Sequence, residues 1–136
     1  MRRHVICLSP GDLLVAAAEM MQLGRMRQLP VVEDGRLVGE LSFLELCAAF
    51  LTRLASRTRA AEPRALAALR VGQVMHPAEG WVSPEADLPA VARQIARRGN
   101  GFAVVADDGA AHPRLLGVVT ERDLLRRALV AARPPV

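Results

Sequence analysis

Hydrophobic and polar positions along the chain follow a succession of two periods, and the succession occurs twice. Behind Ser9-Pro10-Gly11-Asp12, the apolar residues Leu13, Ala16, Ala17, Met20 and Met21 recur at helical spacing. Behind Ser83-Pro84, residues Leu88, Val91, Ala92 and Ile95 do the same. Asp12 and Asp87 stand where N-caps belong, and Pro89 falls in a first helical turn, where its missing N–H is tolerated. Gly24 and Gly99 stand where the two helices should stop. Each helix is followed by a short apolar run ("QLPVV", "GFAVV"), a turn ("EDGR", "ADDGAAHPR"), a second run ("LVGELS", "LLGVVT") and another helical pattern. The predicted order in each copy is β-α-β-β-α, with a short first strand around 5–8 and 80–83.

The two copies align over most of their length, with extra residues in the second turn. One such unit buries too little area to stand alone, so the expectation is an α/β fold of the α+β kind. Its two β-α-β-β-α repeats should pack around a pseudo-two-fold axis. The first repeat, with its trailing helix, is assigned to 1–62, and a linker helix with the second repeat to 63–136. The Ala/Arg-rich stretch 52–70, broken at Pro63, joins them.

With 136 residues, 51% hydrophobic and 24% charged, the chain has the composition of a packed globular protein. No apolar run reaches a membrane-spanning length, and the N-terminal apolar stretch is too short for a signal peptide, so a cytoplasmic location is expected. Cys7 and Cys47 lie in apolar segments, neither with a second cysteine close in sequence, and read as small buried hydrophobes of a reducing compartment. His4, His76 and His112 are isolated in sequence, so no metal site is expected. All 18 basic side chains are arginine, and a net charge of +4 with a pI of 10.8 gives a surface that attracts anions. The arginines are scattered and no aromatic residues interleave them, which argues against nucleic-acid binding. No P-loop, G-x-G-x-x-G or nucleophile–base set is present, so the chain is not read as an enzyme.

Two short stretches carry the candidate chemistry. "GVVTERD" (117–123) and "GELSFLE" (39–45) each place a hydroxyl residue at a helix start and an acid three positions on. This is the capping-box pattern, and capping is expected of both Thr120/Asp123 and Ser42/Glu45. A helix start also favours anions, so capping and binding are compatible.

The doubled Ser-Pro opening, "LPVVEDGRLVG", "VGQVMHP" and "GVVTERDLL" together resemble the cystathionine-β-synthase (CBS) domain, used in tandem as a Bateman module. The resemblance covers nearly the whole chain. It implies a regulatory module that binds an adenosyl ligand (AMP, ADP, ATP or S-adenosylmethionine) in the cleft between repeats and signals to a partner protein, with no required cofactor. By the same resemblance Thr120 contacts phosphate and Asp123 takes the ribose diol. Arg122 supplies a cation beside them. The base is expected against Gly80, Val82, Gly101, Phe102 and Ala103. Gly99-Asn100-Gly101 also reads simply as a helix stop and turn, and Trp81 as either a stacking surface or core filling. The chain departs from the family at His76, where Thr or Ser is usual, and at Glu45, where Asp is usual. Leu44 replaces the cation in the first copy, so Ser42 and Glu45 form the weaker site.

The alternative is a ligand-free scaffold acting through protein contacts alone. Both readings include a homodimer, because the helices at 43–55 and 121–132 and a mean hydropathy of +0.20 leave apolar surface to cover.

Overall fold

The computed structural model describes residues 5–55, 63–107 and 110–133. These divide into two compact units, the first running from Ile6 to Glu79 and the second made of Val5 and the residues from Gly80 onward. Each is a mixed α+β unit built on an antiparallel hairpin flanked by helices. His4, residues 56–62 of the predicted linker, and Asp108 and Gly109 of the longer turn lie outside the described residues.

In the first unit, α1 (Leu14–Leu23) leads into β1 (Gln28–Glu33), β2 (Arg36–Ser42) and α2 (Phe43–Ala55), followed by a short α3 (Pro63–Ala67) and a 3-10 turn at Val71–Gln73. The hairpin turns on Asp34 (φ 52°) and Gly35 (φ 77°). Two consecutive left-handed residues match the right-handed strand twist, and Asp-Gly is the pair that adopts them at least cost. Leu8, Leu14, Ala17, Met21, Val31, Leu41, Leu46, Leu69 and Val71 make one core.

Asp12 does not cap α1. Its carboxylate accepts from the Ser9 amide (2.8 Å), and its carbonyl accepts from Val71 N–H (2.9 Å). Leu13 is the N-cap and has no side-chain cap, while the Leu14 amide donates to the Leu69 carbonyl (2.8 Å). A tertiary partner thus supplies what the local aspartate was predicted to supply. Residues 63–79, assigned by sequence to the second repeat, make these and further hydrogen bonds to the first.

In the second unit, α4 (Leu88–Arg98) precedes β3 (Phe102–Ala106), β4 (Leu115–Thr120) and α5 (Glu121–Ala132). Here the aspartate does cap: Asp87 accepts from Ala90 N–H (2.9 Å), and Gly99 ends the helix in the left-handed conformation (φ 66°). The core is smaller: Val82, Val91, Ile95, Ala103 and Val105, with Leu116, Val119 and Leu124 half-buried around it.

The two hairpins share their irregularities. Each has a register shift at the same relative place, between Val31 and Val32 and between Val105 and Ala106. Each receives one parallel bridge, Leu8 to Val31 and Val82 to Val105. The predicted first strands are therefore single-residue bridges, because the Ser-Pro turn that follows diverts the chain and its proline has no N–H to extend the ladder.

Candidate functional site

At the start of α5, Thr120 and Asp123 form the predicted reciprocal cap. The Asp123 amide donates to Thr120 Oγ1 (3.2 Å), and the Thr120 amide donates to Asp123 Oδ2 (3.1 Å). The Glu121 amide donates to the Gly101 carbonyl (3.0 Å). Gly101 reaches this position with φ 83°, and a Cβ there would lie 2.7 Å from Glu121 Oε1. Of the first three amides of α5, two are thus used within the chain, which narrows the helix start as an anion site.

Beside this cap lies a cavity of about 170 Å³ lined by Val82, Ser83, Pro84, Ala86, Leu88, Val91, Val105, Val119, Asp123 and Arg127. Its walls are the Ser-Pro turn, the open side of the hairpin and one face of α5. Asp123 and Arg127 are four residues apart, so a helix sets them one above the other. A carboxylate able to accept from hydroxyls and a guanidinium able to grip an anion therefore share the rim of a pocket with apolar walls. Ordinary small-molecule pockets span roughly 300–1,000 Å³, so this volume suits one end of such a ligand.

The predicted residues divide in the structure. Asp123 and Val82 line the cavity; Thr120 caps the helix beside it. Arg122 is exposed and is not among the lining residues, whereas Arg127, which sequence reasoning did not name, is. Its i+4 relation to Asp123 was the available signal. Ala103 is buried in the core, Phe102 pairs with Thr120 in the ladder, and Gly101 serves the helix start. At Gly80 the close neighbour is the Gln94 side-chain amide, 2.8 Å from where a Cβ would stand.

The counterpart in the first unit has the same cap and a different occupant. The Ser42 amide donates to Glu45 Oε1 (2.9 Å) and the Glu45 amide to Ser42 Oγ (3.0 Å). Glu45 Oε1 also lies 2.7 Å from His76 Nδ1. His76 is therefore not isolated: its Nε2 lies 3.3 Å from Glu40 Oε2 and 3.6 Å from Glu79 Oε1. Position 49, the counterpart of Arg127, is a buried alanine. Among the described residues, no group of three or more His, Cys, Asp or Glu has metal-holding geometry.

Cys7 is exposed and Cys47 half-exposed, rather than buried as predicted. The Cys7 thiol is nonetheless held above its ordinary pKa, first by partial desolvation and then by the negative charge of Asp12. No helix among the described residues is long and apolar enough to cross a membrane.

Comparison with known proteins places this geometry. The CBS domain model matches residues 1–52 and 71–130. A Methanocaldococcus jannaschii protein, described as an archaeal homologue of γ-AMPK, shares 27% identity over 94% of this chain, with a TM-score of 0.70; the chain spans 45% of that protein. CBSX2, a CBS-pair protein of Arabidopsis thaliana solved in complex with AMP, shares 24% identity over 97% of this chain and 93% of its own, with a TM-score of 0.71. The cytosolic domain of the Mg2+ channel MgtE, solved with ATP, shares 25% identity over 90% of this chain and 44% of its own, with a TM-score of 0.62. A search among curated proteins gave no match. With both repeats matched, each carrying its own bridged hairpin and capped helix, the chain belongs to the CBS domain family as a tandem pair.

Proposed function

We propose that the protein is a regulatory module that binds an adenosyl ligand (AMP, ADP, ATP or S-adenosylmethionine) at the second repeat and transmits its presence to a partner protein. The observation that carries this reading is the placement of Asp123 and Arg127 one helical turn apart on the rim of an apolar-walled cavity. Asp123 accepts from the ribose hydroxyls, Arg127 meets phosphate or carboxylate, and Val82, Val105 and Val119 face the base or sugar. The solved AMP and ATP complexes of structural relatives support the ligand class. The module binds rather than catalyses, acts in the cytoplasm and works as a homodimer. Leu44, Leu51 and Leu54 on α2 and Leu125, Leu129 and Val130 on α5 are all more than half exposed, which supplies the apolar faces for pairing.

Calorimetric titration with AMP, ATP and S-adenosylmethionine tests the reading. Saturable binding by one of them is expected. Absence of binding by all three sinks it and leaves the scaffold, for which the exposed leucines alone suffice. Light scattering at micromolar concentration tests the homodimer, and the mass of a single chain refutes it.

A further inference from the structure

The cavity lined by Met21, Arg25, Arg27 and Phe43 and the apolar faces of α2 and α5 carry no indication of what covers them. The cavity of the second unit carries one, because the first unit contains the same pocket already filled. Leu8 and Val31 are bridged in the first unit as Val82 and Val105 are in the second, and Leu41 and Ala49 stand where Val119 and Arg127 stand. In the first unit those four residues are buried in one cluster together with Leu69 and Val71, which follow α3. Two aliphatic side chains of the chain itself thus sit where the second unit has open space.

The filling segment is a short extended peptide. Arg70 has φ −110° and ψ 152° and bridges antiparallel to Leu13. Leu14 N–H donates to the Leu69 carbonyl (2.8 Å), Val71 N–H to the Asp12 carbonyl (2.9 Å) and Gly72 N–H to the Pro10 carbonyl (2.8 Å). Between the two buried anchors Arg70 is exposed, and its guanidinium donates to the Gly11 carbonyl (3.0 Å). This is strand addition in miniature: main-chain bonds hold the segment, and alternate side chains enter the pocket.

The second unit repeats the receiving groups. Counted from the bridged pair, Pro10, Asp12 and Leu14 correspond to Pro84, Ala86 and Leu88. Asp87 is extended as Leu13 is, and among the described residues no hydrogen bond uses the Leu88 N–H or the carbonyls of Ala86 and Pro84. Glu85, an exposed acid, stands in the place of Gly11, so a basic residue at the middle of a seated segment gains a charge partner. We propose that this cavity is the docking site for an extended partner segment of aliphatic–basic–aliphatic pattern, the pattern of Leu69-Arg70-Val71. The aliphatic side chains enter against Val82, Val105 and Val119, and the basic one meets Glu85. The chain's own Leu69–Val71 is tied into its own unit by the bonds above, so the occupant is a segment of another protein and not of a second copy. The proposal rests on the adenosyl reading of the same cavity and adds its regulation: ligand and segment exclude each other, and ligand binding releases the partner.

Fluorescence anisotropy of the full chain with a labelled synthetic peptide of residues 67–73 (AALRVGQ) tests the site. Saturable binding is expected. Leu69→Asn or Val71→Asn in the peptide should each weaken it by roughly tenfold, as loss of a buried aliphatic side chain does. Leu88→Glu in the protein should also weaken it, and a carboxylate suits the first turn of α4. Absence of saturable binding, or equal binding by Leu88→Glu, overturns the docking site. AMP should displace the peptide. If the peptide binds and no adenosyl ligand does, the docking site stands and the ligand reading falls; if both bind together, the shared cavity is overturned. Light scattering separates the other occupant: a dimer that the peptide splits into single chains assigns the cavity to a second copy and overturns the partner segment.

Discussion

The start of α2 and the start of α5 are nearly the same object locally and different objects chemically. Each has a hydroxyl N-cap, an acid at the third position, reciprocal hydrogen bonds of 2.9 to 3.2 Å, and a first amide donated to a backbone carbonyl, that of Arg27 or of Gly101. What differs is the surroundings. In the first unit, residues 69–76 lie over the Ser-Pro turn and the helix start: Val71 and Gly72 donate to Asp12 and Pro10, and His76 meets Glu45. In the second unit the corresponding residues, Ser83, Pro84, Leu88 and Asp123, line an open cavity. The comparison teaches that a cap is written in four residues, whereas a site is written in what the rest of the chain leaves uncovered.

The largest effect that sharpens this contrast is on stability. Leu14 and Leu88 are equivalent first residues of α1 and α4, yet Leu14 is fully buried and Leu88 is 42% exposed. Leu14→Ala should cost about 2–5 kcal/mol in denaturant unfolding, as filled cores do. Leu88→Ala should cost below about 1.5 kcal/mol, and equal losses would deny the difference in covering.

On binding the asymmetry reverses. Hydrogen bonds to a charged group contribute about 1.5–3 kcal/mol each. Asp123→Ala should therefore weaken an adenosyl ligand at least tenfold by calorimetry, while Glu45→Ala leaves its affinity nearly unchanged. Arg127→Ala should weaken ATP or AMP by about tenfold yet spare adenosine, and Arg122→Ala should do neither. A larger loss from Arg122 than from Arg127 would move the phosphate to the helix start.

The caps themselves should be equal. Ser42→Ala and Thr120→Ala should each cost about 0.5–2 kcal/mol of unfolding free energy. Glu45→Ala should cost more than Asp123→Ala, because Glu45 also holds His76.

The smallest effect concerns Cys7, whose counterpart beside the second bridge is Trp81. Because desolvation and Asp12 keep the thiol above its ordinary pKa, less thiolate is present at neutral pH. Iodoacetamide should modify Cys7 more slowly than a free cysteine at pH 7.5, and Asp12→Asn should narrow that gap.

These outcomes separate what the sequence states locally from what it does not. Ser42/Glu45, Thr120/Asp123, Asp87, Gly99 and the Asp34-Gly35 turn were legible because the interacting atoms lie within four residues of one another. The family followed from the repeated order of such signals. Asp12 misled because its place at the helix start is outbid by Leu69 and Val71, nearly sixty residues away. His76 looked isolated because its three carboxylates come from strand, helix and turn. Arg127 was within reach of helical periodicity, but adjacency in sequence favoured Arg122, which an α-helix turns away from Asp123.

The longer turn of the second hairpin has a use of a different kind. Asp107 and Arg114 close its base, with the Asp107 amide donating to the Arg114 carbonyl (3.2 Å) and the Arg114 amide to Asp107 Oδ1 (2.9 Å). Doubling a loop beyond such a closure adds only about 0.6 kcal/mol of chain entropy. The exposed Ala110-Ala111 junction is therefore an engineering port. A fluorophore tag or a small reporter domain spliced there leaves the strand register to the clasp behind it, and turns the hairpin that backs the cavity into an optical readout of whatever enters.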